Sequence, residues 1–182
     1  MRITGGILKG RRFSPPKNFR ARPTTDMAKE NLFNVLNNFI DFDKVKFLDL
    51  FSGTGSISFE FASRGCIDII SVENDFQHYK FICKCVEELE LNKIVKPIKQ
   101  DVFLFLQKAE KYFFDVVFAD PPFNHKKISE LPELILDAKI IKKDGYLIIE
   151  HGPEYDFSKI TEFWQVRHYG KVFFSVFKST NN

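Results

Sequence analysis

The sequence predicts an α/β fold whose central sheet is mostly parallel and ends in an antiparallel hairpin. From residue 46 onward, short apolar segments alternate with helical segments, which is the pattern of a parallel sheet with helices on both faces. The last two strand-like segments are separated by little more than Gly170, and so short a connection can join only antiparallel strands. With 182 residues, of which 44% are hydrophobic, the chain is long enough to bury one substantial core.

Seven apolar segments have the length and composition of buried strands. They are residues 46–50, 67–73, 94–100, 114–119, 145–150, 163–169 and 172–178. Apolar residues at helical spacing, together with capping residues, predict the intervening helices. These are residues 56–64, 75–91, 102–108 and 128–138. Ahead of the sheet, hydroxyl residues followed by Asp26 mark the start of another helix, which we expect to end near Asn38.

The first 25 residues form a basic extension with turn signals and a few apolar residues. They contain seven Lys and Arg residues and no acid, whereas the rest of the chain contains 20 Lys and Arg and 24 Asp and Glu residues. A charge of +7 against −4 is typical of an arm that binds a polyanion, and a solvated tail is the alternative interpretation. We therefore divide the chain into an extension, 1–25, and an α/β domain, 26–182.

Composition argues against several other classes of protein. No segment approaches the roughly 18 uncharged apolar residues of a membrane span, and the first residues lack the apolar run of a secretory signal. Three cysteines cannot all pair, and four scattered histidines predict no metal site. We expect a cytoplasmic protein without a disulfide framework.

A glycine-rich turn, Asp49-Leu50-Phe51-Ser52-Gly53-Thr54-Gly55, follows the first predicted strand. Its glycines allow a sharp bend and a close approach of the backbone to a ligand. Glu73 ends the second strand, where an acid accepts hydrogen bonds from a ribose diol. Asp101 ends the third strand, where a carboxylate can accept an amino hydrogen of adenine. Both acids also suit helix capping, and Asp75 competes with Glu73 for the turn.

These features alone fit either a nicotinamide dinucleotide or S-adenosylmethionine. Two details favour the second cofactor: Ser58 replaces the third glycine of the dinucleotide fingerprint, and Asp49 lies where a pyrophosphate would arrive. An acid at that position better suits a cationic ligand. The predicted cofactor-binding residues are Asp49, Phe51, Gly53, Gly55, Glu73, Asn74, Asp101 and Val102.

The fourth predicted strand ends in Asp120-Pro121-Pro122-Phe123. Proline fixes φ and lacks an N–H, so this corner presents hydrogen-bond acceptors beside an aromatic ring. If the Asp120 carboxylate and the Pro121 carbonyl accept the hydrogens of a base amino group, its nitrogen points at an electrophile while Phe123 stacks on the base. All four residues are therefore predicted to be catalytic, and a plain strand-ending turn is the alternative.

The glycine turn, Glu73 and the Asp-Pro-Pro-Phe corner, in this order and spacing, resemble the Rossmann-like class I S-adenosylmethionine-dependent methyltransferases of nucleic acid amino groups. Four N-terminal segments resemble, more narrowly, the bacterial RsmD family of 16S rRNA guanine-N2 methyltransferases. They are Thr4-Gly5-Gly6, Lys9-Gly10-Arg11-Arg12, Arg22-Pro23-Thr24-Thr25-Asp26 and Lys29-Glu30-Asn31-Leu32-Phe33-Asn34. The resemblance spans Ile3 to about Glu150, and one departure is Ser52, where alanine or a similar residue is common.

The resemblance implies methyl transfer from S-adenosylmethionine to N2 of a guanine in the small ribosomal subunit. We expect the protein to be a monomer. The target guanine must be unpaired or flipped out for N2 to be presented. Basic residues of the extension would hold the RNA phosphates. They are Lys9, Arg11, Arg12, Arg20 and Arg22. The alternatives are an adenine-N6 methyltransferase of DNA or RNA, a non-catalytic nucleic-acid-binding protein on the same core, and, more remotely, a nicotinamide-dependent oxidoreductase.

Overall fold

The computed structural model describes residues 1–15, 25–123 and 125–180, and within them seven strands form one sheet. The strands are β1 (Lys46–Leu50), β2 (Asp68–Glu73), β3 (Val95–Lys99), β4 (Phe114–Ala119), β5 (Ile141–His151), β6 (Phe163–Tyr169) and β7 (Val172–Lys178). Their order is β3-β2-β1-β4-β5-β7-β6, with the first five parallel and β7 antiparallel to both neighbours. The mostly parallel sheet with its terminal hairpin is therefore confirmed.

Helices cover both faces of this sheet, as the alternating pattern predicts. In the described part of the chain they are α1 (Asp26–Leu36), α2 (Ser56–Ser63), α3 (Phe76–Glu88), α4 (Val102–Lys108) and α5 (Leu131–Asp137). Short 3-10 helices occur at Phe42–Lys44 and Ile128–Glu130. Buried side chains of α1, α2 and α3 join one apolar cluster, and those of α4 and α5 join the cluster on the opposite face. No helix among these residues has the length and apolar character needed to cross a membrane.

The fifth strand begins earlier than its sequence suggests. β5 starts at Ile141, four residues before the predicted start, and includes the charged run Lys142-Lys143-Asp144. Its pairing with β4 shifts register between Phe114 and Val116, and Lys142 Nζ forms an ion pair with Asp115 at 2.8 Å. A charged run resembles a loop in the sequence, but here its backbone is paired, since the Asp144 amide donates to the Ser179 carbonyl at 3.1 Å.

The basic extension packs against the body. Arg2 and Arg12 form an antiparallel bridge, and the Ile3 amide donates to the Arg11 carbonyl at 3.0 Å, so residues 1–13 form a small hairpin. Ile3 and Phe13 are buried in the cluster formed by α1, α2 and α3. The described residues of the extension thus contribute to the core of the body. The division at residue 25 and the RNA-binding role of the extension stay predictions.

The order of the strands brings distant motifs to one edge of the sheet. β1 lies between β2 and β4, so strand order reverses beside it, and crevices of this kind hold ligands in α/β folds. Leu50 of β1 pairs with Ala119 of β4, and the Asp120 amide lies 3.4 Å from the Leu50 carbonyl. The segments that follow β1 and β4 therefore begin side by side.

Candidate active site

The glycine-rich turn after β1 has the sharp bend that its sequence predicts. Phe51, Gly53 and Gly55 all have positive φ, at 58°, 53° and 73°. Gly55 precedes α2, and a Cβ there would lie 2.8 Å from the Phe59 ring, so no larger residue fits without displacing that ring. Phe51 adopts the same left-handed region without being glycine, which is costly and is concentrated at functional sites. The turn is a tightly constrained backbone cradle.

Glu73 is fixed against this turn. Its Oε2 accepts a hydrogen bond from the Gly53 amide at 2.7 Å, and its Oε1 accepts one from the Asp75 amide at 2.7 Å. Each carboxylate oxygen can accept more than one hydrogen bond, so ribose hydroxyls can still be bound. Asp75 caps α3, accepting from the Gln77 and His78 amides. The competition between the two acids is thereby resolved, because Asp75 serves the helix and Glu73 faces the turn.

Asp101 caps α4, which is the alternative that the sequence left open. Both capping bonds, from the Phe103 amide at 2.9 Å and the Leu104 amide at 3.1 Å, end on Oδ1. Val102 is buried and Asn74 is exposed beside the turn. Capping therefore occupies one carboxylate oxygen of Asp101 and is compatible with a ligand at the other.

Asp49 lies beneath the turn. Its carboxylate is buried and accepts a hydrogen bond from Ser58 Oγ at 2.6 Å, and that hydroxyl also lies 2.6 Å from Ser71 Oγ. Burial raises the pKa of Asp49 to about 7, and the hydrogen bond from Ser58 opposes that rise. Ser58, noted in the sequence only as a missing glycine, is thus the direct partner of the buried acid.

The Asp-Pro-Pro-Phe corner follows β4 at the same edge. Asp120 is partly exposed, Pro121 is buried, and the Phe123 side chain is 51% exposed, which leaves its ring free to stack on a planar ligand. Desolvation raises the pKa of Asp120 well above its usual value, and the nearby carboxylates of Glu150 and Asp49 add to this effect. These causes favour the protonated carboxyl group, whereas the carboxylate, once ionised, is a stronger base than an ordinary aspartate.

Three rings, those of Phe51, Phe103 and His125, form an aromatic wall between the turn and the corner, and only Phe51 was among the predicted site residues. His125 stacks on Phe103 at a ring distance of 5.4 Å and lies 5.8 Å from Phe51. His125 Nδ1 accepts from the Lys127 amide at 3.2 Å, and Lys127 Nζ lies 4.9 Å above the Phe103 ring. The only sequence signals were the positions of Phe103, two residues after Asp101, and of His125, two residues after the corner.

The predicted RNA-binding residues fall into two groups. Lys9, Arg11 and Arg12 are exposed on the N-terminal hairpin. Arg20 and Arg22 lie outside the described residues. Among residues 1–15, 25–123 and 125–180, no group of three or more His, Cys, Asp and Glu side chains is arranged to hold a metal ion.

The family profile described as conserved hypothetical protein 95 matches residues 1–178. The chain belongs to this family. Two relatives with assigned names agree with the predicted membership in the RsmD family. That prediction is confirmed. YlbH of Bacillus subtilis is 34% identical, and the match covers 85% of this chain and 84% of YlbH. Its name assigns YlbH provisionally to the rRNA methyltransferases. Ribosomal RNA small subunit methyltransferase D of Buchnera aphidicola is 30% identical, and the match covers 81% of this chain and 76% of that protein.

Several solved structures share the fold of this protein. The yhhF protein of Escherichia coli, described provisionally as a methyltransferase, has a TM-score of 0.84 and 24% identity, with 100% of this chain and 99% of that chain covered. An RNA methyltransferase of Salinibacter ruber in complex with S-adenosyl-L-homocysteine has a TM-score of 0.69 and 15% identity, with 88% and 95% covered. The predicted methyltransferase-like fold is confirmed.

Proposed function

We propose that this protein transfers a methyl group from S-adenosylmethionine to the exocyclic N2 amino group of a guanine in 16S rRNA of the small ribosomal subunit. The observation that supports this most directly is the adjacency of Asp120 to the end of β1, with its amide 3.4 Å from the Leu50 carbonyl. An acceptor-only corner thus begins beside a glycine turn suited to the cofactor. The names of the relatives, rRNA methyltransferase and small subunit methyltransferase, support the same reaction.

The residues around the turn fit S-adenosylmethionine. Glu73, held by two amides, accepts the ribose hydroxyls, and Oδ2 of Asp101 accepts from the adenine amino group. The aromatic wall of Phe51, Phe103 and His125 provides flat surfaces beside these acids. The Asp49 carboxyl lies beneath the turn, where a bound cation would favour its ionised form. When bound, the cofactor supplies a methyl group activated by a sulfonium centre.

The corner orients and deprotonates the amino group. Asp120 accepts one hydrogen of guanine N2 and Pro121 accepts the other through its carbonyl, so that the nitrogen lone pair points toward the cofactor site. Phe123 stacks on the base. As positive charge develops on the nitrogen, the ionised Asp120 carboxylate stabilises it and takes up the proton. A direct transfer needs no covalent enzyme intermediate.

Binding of the ribosomal subunit is assigned to the extension. Lys9, Arg11 and Arg12 lie exposed on the hairpin, where they can contact phosphates without reading the bases. Arg20 and Arg22 complete the proposed set. We place the protein in the cytoplasm, with the ribosomal subunit, and propose that it acts as a monomer.

Incubation of the protein with small ribosomal subunits and S-adenosylmethionine carrying a labelled methyl group tests this function. We expect one labelled nucleoside, N2-methylguanosine, when the 16S rRNA is digested and analysed by mass spectrometry. Label in N6-methyladenosine would replace the guanine assignment by the adenine alternative. Absence of label, with intact subunits and with naked 16S rRNA, would overturn the proposal.

A further inference from the structure

Helix α1 contains a lysine that is completely buried. Lys29 Nζ lies 2.7 Å from the Arg2 carbonyl, 3.0 Å from Ser56 Oγ and 3.1 Å from Glu60 Oε1. Both Lys29 and Glu60 are 0% exposed. Burying an ammonium group is costly even when it is paired, and apolar residues of similar volume often serve stability as well or better. Stability alone therefore gives little reason for a lysine here.

The contacts of Lys29 join two parts of the protein to which separate ligands are assigned. Arg2 belongs to the hairpin that bears the exposed basic residues. Ser56 is the first residue of α2 and follows Gly55 of the glycine turn directly. The hairpin is attached a second time, because Glu60 Oε1 also accepts from the Thr4 amide. One ammonium group thus bridges the hairpin and the cofactor turn.

The position of the ammonium group is also electrostatically unusual. It lies at the N-terminal end of α2, where the helix dipole is already positive and a cation is disfavoured. Burial lowers the pKa of Lys29 below its ordinary value, and Glu60 opposes this change. A displacement of the hairpin would remove the Arg2 carbonyl from Lys29, and a displacement of the turn would disturb its bond to the Ser56 hydroxyl, while the Lys29–Glu60 pair would persist. The hairpin and the start of α2 therefore share one buried hydrogen-bonding partner.

We infer that Lys29 is a positioning residue that couples the N-terminal hairpin to the glycine turn, so that the ribosomal subunit and the cofactor bind cooperatively. This inference rests on the proposed function, since it takes the hairpin and the turn as the two binding sites. By reciprocity, each ligand strengthens binding of the other by the same factor.

The coupling is measured as the change in affinity for small ribosomal subunits caused by saturating S-adenosyl-L-homocysteine, which binds without reacting. We expect about fivefold or more tightening in the wild type. Ser56→Ala removes a single hydroxyl and leaves the Lys29–Glu60 pair intact, so it should fold and should lose most of the coupling. Lys29→Met should lose it completely, and Lys29→Arg, which keeps the charge, should restore part of it.

Two controls separate positioning from stability. Leu36→Ala removes a buried side chain of α1 and should lower the unfolding midpoint without changing the coupling. Lys84→Met removes an exposed lysine on α3 and should change neither. Coupling that persists in both Ser56→Ala and Lys29→Met, or that is absent from a wild type able to bind both ligands, would overturn the inference. Failure of the wild type to bind S-adenosyl-L-homocysteine would instead overturn the proposed function.

Discussion

The amide of Gly53 donates a 2.7 Å hydrogen bond to Oε2 of Glu73, joining the glycine turn to the end of the neighbouring strand. Gly53 lies in the connection after β1, Glu73 is the last residue of β2, and the two meet because β1 and β2 are parallel and adjacent. The bond orients the carboxylate before any ligand arrives. Such preorganisation reduces the ordering that binding would otherwise require.

Removal of the Glu73 carboxylate should weaken cofactor binding. We expect Glu73→Ala to bind S-adenosyl-L-homocysteine about 10- to 100-fold less tightly by calorimetry, because hydrogen bonds to a charged group contribute about 1.5–3 kcal/mol. Glu88→Ala, the same change at an exposed position of α3, is the matched control and should bind normally. Unchanged affinity in Glu73→Ala would exclude Glu73 from the cofactor site.

Replacement of Asp120 should affect the reaction and spare the cofactor. Asp120→Asn keeps the shape of the corner but presents an amino group where an acceptor is needed. We expect methyl transfer to fall at least about 100-fold, the usual lower range for loss of a proton acceptor. Affinity for S-adenosyl-L-homocysteine should stay within about twofold. Asp137→Asn at the exposed end of α5 is the control, and full activity in Asp120→Asn would refute the catalytic role.

The buried Asp49 should make stability depend on pH. Its pKa is about 7 in the folded state, against an ordinary value of 3.8 in an unfolded chain. Between these values the unfolded state ionises while the folded state stays protonated, so the free energy of unfolding falls as pH rises from about 4 to 7 and levels off above.

Asp49→Asn removes this titration and can still accept the hydrogen bond from Ser58. We expect the stability of the variant to depend less on pH. Its free energy of unfolding should rise relative to that of the wild type by a few kcal/mol between pH 4 and 8, since one pKa unit corresponds to about 1.4 kcal/mol. Denaturant unfolding at several pH values measures the difference. A difference that does not change with pH would mean that Asp49 is ionised in the folded protein.

The aromatic wall should contribute to cofactor affinity. We expect Phe103→Leu to weaken binding of S-adenosyl-L-homocysteine about three- to tenfold, because aromatic pairs contribute about 0.5–1.5 kcal/mol beyond burial. Phe105→Leu makes the same chemical change two residues later, outside the wall, and should leave affinity unchanged. Equal effects in the two variants would indicate that α4 acts only through stability.

The basic hairpin should be tested by charge, because deletion would also remove Ile3 and Phe13 from the core. We expect Lys9→Gln, Arg11→Gln and Arg12→Gln together to weaken binding of small ribosomal subunits. The slope of log affinity against log salt should fall by about 2, as expected when up to three phosphate contacts are lost. Affinity for S-adenosyl-L-homocysteine should be retained.

The matched control removes three exposed lysines elsewhere: Lys84, Lys93 and Lys96. It changes net charge equally, so it should leave the salt dependence of subunit binding nearly unchanged. The same loss of slope in both triple variants would show that net charge, and not the hairpin, governs binding.

Local patterns in the sequence were sufficient for the elements and for most of the proposed site. Alternation of apolar and helical segments predicted all seven strands, and turn chemistry predicted the positive φ of Gly53 and Gly55. The rigid corner after β4 was equally visible, because proline restricts the backbone whatever surrounds it. These features depend on residues within a few positions of one another.

Other features depend on contacts between segments far apart in the chain. The strand at residues 141–144 pairs with two distant segments, through Phe114 beside Ile141 and through the Ser179 carbonyl, which accepts from the Asp144 amide. The aromatic wall requires β1 and β4 to be neighbours. Burial of Lys29 requires the hairpin and α2 to close around it. Residue type alone does not predict a buried lysine or an aspartate with a pKa near 7, because desolvation is a property of the assembled surroundings.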